Sequence, residues 1–224
     1  MQKHNARPLI FAIPVAALVS FAAAGEVPVS TSASLEAPVP ELVVLIYGFP
    51  GLSTWTLREA GAEAARLLRP VSVKFTWVNC NSSAPPPSCR PPLEPSALIV
   101  RILPNALPSA TSSALGFATL SGDDPAAFIF YDRALALRTH ARPMTSILGR
   151  AMAHEIAHLL LPPPGHANLG LMKGVWTADG LQVANAPWLG LSLHSIALMR
   201  ESALQMTLRA HRGGALPGAG PRAM

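Results

Sequence analysis

The apolar positions of this chain fall into blocks whose spacing changes along its length. Residues 42–47, Leu-Val-Val-Leu-Ile-Tyr, form a continuous apolar run bounded by Gly48 and by Pro50-Gly51. Such a run predicts a strand buried on both faces. From 57 to 68 the pattern becomes amphipathic at helical spacing, with Thr54 or Thr56 available as a cap and Pro70 as a stop. Residues 71–78 alternate in part and put Val73, Phe75 and Trp77 on one side, which predicts a second strand. A third is expected over 98–103, ending at Pro104, and a short fourth over 115–120. A fifth is expected over 127–131, after the turn Gly122-Asp123-Asp124-Pro125. An apolar helix follows over 144–160, with Thr145 or Ser146 as its cap. Pro162-Pro163-Pro164 must end it, because proline lacks the helical N–H and clashes with the turn before it. A last helix is expected over 188–206. A strand, a helix, four strands and then helices predict a mixed α/β (α+β) layer rather than a regular parallel alternation. No internal repeat is visible.

The two ends read differently. Lys3, His4 and Arg7 precede an apolar run over 9–24, no acidic residue occurs before Glu26, and Ala22-Ala23-Ala24 offers small residues for cleavage. These are the marks of a secretory signal over 1–25. The run of about 16 residues is shorter than the ~20 that a bilayer span requires, and Pro14 interrupts it. An uncleaved N-terminal anchor is the alternative, and no cysteine near the cut suggests lipoprotein processing. The expected organisation is therefore a signal over 1–25, a flexible Pro/Ser/Thr/Val-rich leader over 26–40, one folded domain over 41–211 and a Gly/Pro/Ala-rich disordered tail over 212–224. A secreted or periplasmic protein with no stable membrane span in its mature form follows.

Of the 224 residues, half are hydrophobic, and much of that excess sits in the N-terminal run. Losing Lys3 and Arg7 lowers the formal charge from +5 to +3, fifteen basic against twelve acidic side chains. That balance is too weak and too evenly spread to argue for nucleic acid. The two cysteines, Cys80 and Cys89, flank a Ser/Pro-rich stretch with no further metal ligands beside them. In an exported chain they read as one disulfide closing a surface loop.

The chemistry is concentrated in residues 154–172. His154 and His158 are four apart and lie one turn above each other on a helix. Two neutral imidazoles so placed can hold one Zn²⁺, and Glu155 between them can act as general base on a metal-bound water. His166 follows after a chain reversal that Gly165 permits. Three protein ligands with one open position are the set a catalytic zinc needs.

In this order, His154, Glu155, His158, Gly165, His166 and Met172 resemble the metzincin clan of zinc metallopeptidases, whose signature is HExxH, a glycine turn, a third His and a methionine turn. The segment looks especially similar to bacterial secreted proteins that carry His-Glu-Ile-Gly-His-Leu-Leu-Leu, a short insert, a His, then Gly-Ile-Met and a tryptophan; here Trp176 stands in that place. The resemblance spans about 42–210, but its specific motifs lie only in 154–176. It implies a zincin fold with a mixed twisted sheet, an active-site helix and a small C-terminal helical subdomain. It further implies one Zn²⁺ on His154, His158 and His166, Glu155 as base, Met172 beneath the histidines, and an extended peptide or protein substrate paired along the 115–120 edge strand. Two departures stand out. His166 lies eight residues past His158 where the family pattern has six, and Leu161 occupies the usual glycine position. The tyrosine that some family members use after the methionine turn is also missing, since the chain's two tyrosines are Tyr47 and Tyr131.

Weaker candidates remain beside these. His140 and His194 are lone histidines, more often structural than catalytic. Glu201 could be a third ligand from a downstream helix. Asp179 could orient a ligand histidine, and Trp176 and Trp188 could pack the lower part or wall the cleft. A secreted binding protein that zinc merely stabilises, or an enzyme acting on a non-peptide amide, uses the same residues differently.

Overall fold

The structure, a computed structural model, describes residues 38–120, 125–139, 143–163, 165–176 and 190–213. The signal, nearly all of the leader, the Gly122-Asp123-Asp124 turn, His140, Pro164, Asp179, Trp188 and the tail from 214 lie outside these. Among the described residues no helix is long and apolar enough to cross a membrane.

The continuous apolar run becomes β1 (Glu41–Tyr47), and it lies inside the sheet with a parallel neighbour on each side. This is why the run lacks alternation: a central parallel strand buries both faces. β2 (Lys74–Asn79) pairs on one side of β1 and β3 (Ala97–Leu103) on the other. β5 (Ala126–Phe130) continues the parallel set beside β3, and β4 (Gly116–Thr119) runs antiparallel at the margin. The strand order is β2-β1-β3-β5-β4, a five-stranded sheet that is parallel except for one edge. The expected mixed α/β class is the one observed, and the short fourth strand sits at that edge.

Helix α1 (Thr54–Leu68) and helix α3 (Met144–Leu160) pack together against the face of the sheet that carries Leu42, Val44, Ile46, Leu98, Val100 and Ile102. Those six side chains are essentially inaccessible to solvent. Helix α4 (Leu193–Gly213) adds Met199 and Ala203 to this core. Its Thr207 ties back to β1: the hydroxyl accepts from the Glu41 N–H at 3.0 Å.

Several local expectations are corrected. Ser53 caps α1, its hydroxyl accepting from the Thr56 N–H at 3.1 Å, because the helix begins earlier than its apolar pattern. β2 begins at Lys74 rather than 71, since residues Arg69–Val71 form a 3₁₀ turn and Ser72 is left-handed at φ 55°. Tyr131, expected to end the fifth strand, instead opens a short helix α2 (Tyr131–Ala136). Helix α3 keeps the expected bounds but has Pro143 at its N-cap and no side-chain cap; Thr145 and Ser146 lie inside its first turn. Helix α4 starts at Leu193, where the Ser192 hydroxyl accepts from the Ser195 N–H at 3.0 Å, and it reaches Gly213. Arg212 and Gly213 are thus helical rather than part of a tail.

Candidate metal centre

Helix α3 is buried along nearly its whole length, so its few polar side chains face an internal space. His154 and Glu155 are buried, and His158, one turn on, is half-buried at the helix end. The helix stops at Leu160, and Leu161 is extended, just before Pro162 and Pro163. Gly165 then adopts φ 65°, a left-handed conformation that glycine takes without steric cost. The turn brings exposed His166 back over the helix end. The Nε2 atoms of His158 and His154 are 3.1 Å apart, and those of His158 and His166 are 3.0 Å apart. The longer gap between the second and third histidines is absorbed by this turn.

A second turn meets the group through His154. Gly170, at φ 79°, and Lys173 close it, the Lys173 N–H donating to the Gly170 carbonyl at 3.2 Å. Within it, the Leu171 carbonyl accepts from Nδ1 of His154 at 2.7 Å. A carbonyl can only accept, so His154 carries its proton on Nδ1 and leaves the Nε2 lone pair toward the other two rings. Met172 is buried, and its carbonyl accepts from the Ala167 N–H, next to His166, at 2.7 Å.

These residues fit a zinc ion. A tetrahedral site with Zn–N bonds near 2.05 Å places its nitrogens about 3.3 Å apart, close to the two separations found here. Each of the three histidines offers a ring nitrogen, and the three atoms lie within 4.8 Å of one another. The same separations suit N–H···N hydrogen bonds between neutral rings, and a bound cation would take the three lone pairs in place of those protons. The electrostatics favour the uncharged ligand form: burial lowers the pKa of His154 to about 4 even though the Leu171 bond opposes the shift. His158 is lowered to about 4 by burial first and then by His154 and His166. Burial raises Glu155 to about 8.

A cleft of about 510 Å³ opens over the group. One wall is β4 with the loop before it; the other is α3, the histidines and Trp176. Trp176 also packs on the core and stands edge-on to His154 with centroids 6.3 Å apart, so it does both things considered for it. Gly116 of β4 faces Glu155 closely: a Cβ there would lie 3.1 Å from Oε1 and 2.3 Å from the Phe128 carbonyl. Only a residue without a side chain leaves room for the carboxyl.

Other candidates fall elsewhere. Glu201 is exposed on α4 and accepts from the Gln205 amide at 2.9 Å, and His194 is exposed at the start of that helix. The Tyr47 hydroxyl donates to the Cys89 carbonyl at 3.0 Å, and Tyr131 stacks edge-on against Phe49; neither lines the cleft. Cys80 and Cys89 are joined by a disulfide. Sequence reading passed over Gly116, the Leu171 carbonyl, and Arg150, a buried cation one turn before His154 whose Nε lies 3.6 Å from Glu63. A charged residue inside an otherwise apolar helix was the available signal for the last.

No protein-family model matches the sequence, and no curated protein does. The fold, however, is similar to that of a zinc-dependent peptidase from Methanocorpusculum labreanum. That structure superposes with a TM-score of 0.51 at 11% identity, over 70% of this chain and 99% of the other. Metalloproteinase-II from Bacteroides fragilis gives a TM-score of 0.43 at 15% identity, over 73% of this chain and 53% of that one.

Proposed function

We propose that this protein is a secreted or periplasmic zinc-dependent endopeptidase of metzincin type. The observation that carries the reading is the meeting of three histidine nitrogens beside a buried carboxyl on the floor of an open cleft. A structural zinc is enclosed by four protein ligands, whereas three ligands facing a cleft leave room for water and substrate.

His154, His158 and His166 would hold the ion, and Met172 would floor them. Bound there, zinc supplies Lewis acidity to a peptide carbonyl and lowers the pKa of its water. Glu155 would take the water proton on its carboxylate and deliver it to the leaving amine. Its burial between α3 and Gly116 tunes it upward, toward the neutral pKa that general acid–base work favours. An extended peptide would add to the margin of β4, whose outer backbone groups have no strand partner among the described residues. Export is supported by the basic and apolar N-terminal sequence and by the disulfide.

The test is metal analysis and casein hydrolysis on the purified protein beside Glu155→Gln. One zinc per chain in both, with hydrolysis by the unmutated protein only, is the expected result. Equal hydrolysis by both would remove Glu155 from the mechanism. Zinc in both with hydrolysis by neither would favour a binding protein stabilised by the metal.

A further inference from the structure

The loop between β3 and β4, residues 104–115, has no strand or helix of its own and is mostly exposed, yet it forms the rim of the cleft through Thr111, Ser113 and Ala114. It is about twice as long as the usual connection of about 4–6 residues in a compact domain. Among the described residues the Arg133 side chain holds this loop at three carbonyls. The Arg133 guanidinium, on α2, donates from Nη1 to the carbonyls of Thr111 and Ala114, the latter at 2.7 Å, and from Nη2 to that of Ala110 at 3.3 Å. Its Cζ stands 5.2 Å from the centroid of the Phe130 ring, which fixes the plane of the fork. The rim then enters β4, where the Leu115 carbonyl accepts from the Phe130 N–H at 2.8 Å.

We propose that Arg133 is a positioning residue that sets the substrate-binding rim of the cleft, and that the rim's hydroxyl-bearing residues Thr111 and Ser113 bind the backbone of an extended peptide. This rests on the peptidase reading above. Arg133 touches neither the histidines nor Glu155, so its effect lies on binding and not on the chemical step. A guanidinium is the group required, because its rigid fork reaches several carbonyls at once and an ammonium is a single point charge.

The experiment compares the zinc-loaded full chain with Arg133→Lys and Arg133→Met, the second keeping an apolar stem over Phe130. Three quantities are measured: amide hydrogen exchange at Ala110 and Ala114, kcat and KM for casein hydrolysis, and zinc affinity. Those two amides are protected reporters, since they donate within the loop to the carbonyls of Leu107 and Thr111 at 3.0 and 3.1 Å. In both variants exchange there should rise about tenfold or more as the loop loosens, and KM should rise about fivefold or more with kcat unchanged, as loss of uniform binding requires. Zinc affinity should stay within about twofold. Unchanged exchange would overturn the holding role, and faster exchange with unchanged KM would overturn substrate contact by the rim. A fall in kcat or zinc affinity matching the KM change would mean that Arg133 supports the whole fold instead. Absence of hydrolysis by the unmutated protein would sink the peptidase reading and the substrate contact together, while exchange would still decide whether Arg133 holds the rim.

Discussion

The proton on Nδ1 of His154 is held by the carbonyl of Leu171, 2.7 Å away and seventeen residues further along the chain. A backbone carbonyl cannot be removed by substitution, but the turn that carries it is anchored in the core by the buried side chains of Leu171 and Met172. Met172→Leu nearly conserves volume and should cost less than ~1.5 kcal/mol with zinc binding retained. Met172→Ala should cost about 2–5 kcal/mol and weaken zinc about tenfold or more by releasing the turn that orients His154. Urea unfolding and chelator competition measure both. Equal zinc affinity in the two variants would show that the turn does not act through packing.

Gly165 carries two demands at once. Its φ of 65° is left-handed, and a Cβ there would lie 2.8 Å from Nδ1 of His158 and 3.1 Å from Cε1. Gly165→Ala should therefore strain the backbone by about 1–2 kcal/mol and push the His158 ring away from its two partners. Zinc affinity is expected to fall about 10–100-fold, beyond what backbone strain alone predicts. Competition with a chromophoric chelator gives the number, and an affinity within twofold of the unmutated protein would mean that the ring can yield without losing the ion.

How much of this was legible beforehand follows from the range of each cue. The bounds of α3 were set by neighbours in sequence: an apolar helical period and then a run of prolines that no helix can continue. The His154–His158 pair needed only the helical repeat. Residues that act across long separations left no such mark. Gly116 matters because α3 lies opposite it, and Arg133 because a loop some twenty residues earlier folds under its fork. Helix α2 was hidden because Tyr131 continues an apolar strand pattern, and the helix begins where the sheet ends rather than where the composition changes.

The Cys80–Cys89 disulfide closes a short loop that β2 enters, and Tyr47 of β1 donates to the Cys89 carbonyl from outside it. Cross-linking so short a loop should contribute about 2–3 kcal/mol, chiefly by restricting the unfolded chain. The paired substitution to serine should lower stability by that amount and leave casein hydrolysis and zinc content intact, because neither cysteine lines the cleft. Urea midpoints of the oxidised protein and the double variant provide the comparison. A loss of zinc in the variant would mean that the loop supports the metal centre.

Buried His154 and Glu155 and half-buried His158 make the stability of the metal-free protein depend on pH in two opposite senses. His154 and His158 are lowered from 6.5 to about 4 by burial, so they bind protons more tightly when unfolded. Their contribution is complete above about 6.5 and is lost as pH falls toward 4. Glu155 is raised from 4.5 to about 8 by burial, so it holds its proton more tightly when folded. Its contribution is complete below about 4.5 and is lost as pH rises through 8. Above 6.5 only the carboxyl acts, and stability should decline; toward acid the two histidines outweigh it. The chelator-treated protein should accordingly be most stable near pH 6.5. Glu155→Gln, which cannot ionise, should remove the decline between 6.5 and 8 while leaving the acid side in place. Urea unfolding at intervals from pH 4 to 9, on both proteins without metal, tests this. Parallel profiles for the two would show that the Glu155 carboxyl ionises as freely in the fold as in the unfolded chain, contrary to its burial between α3 and β4.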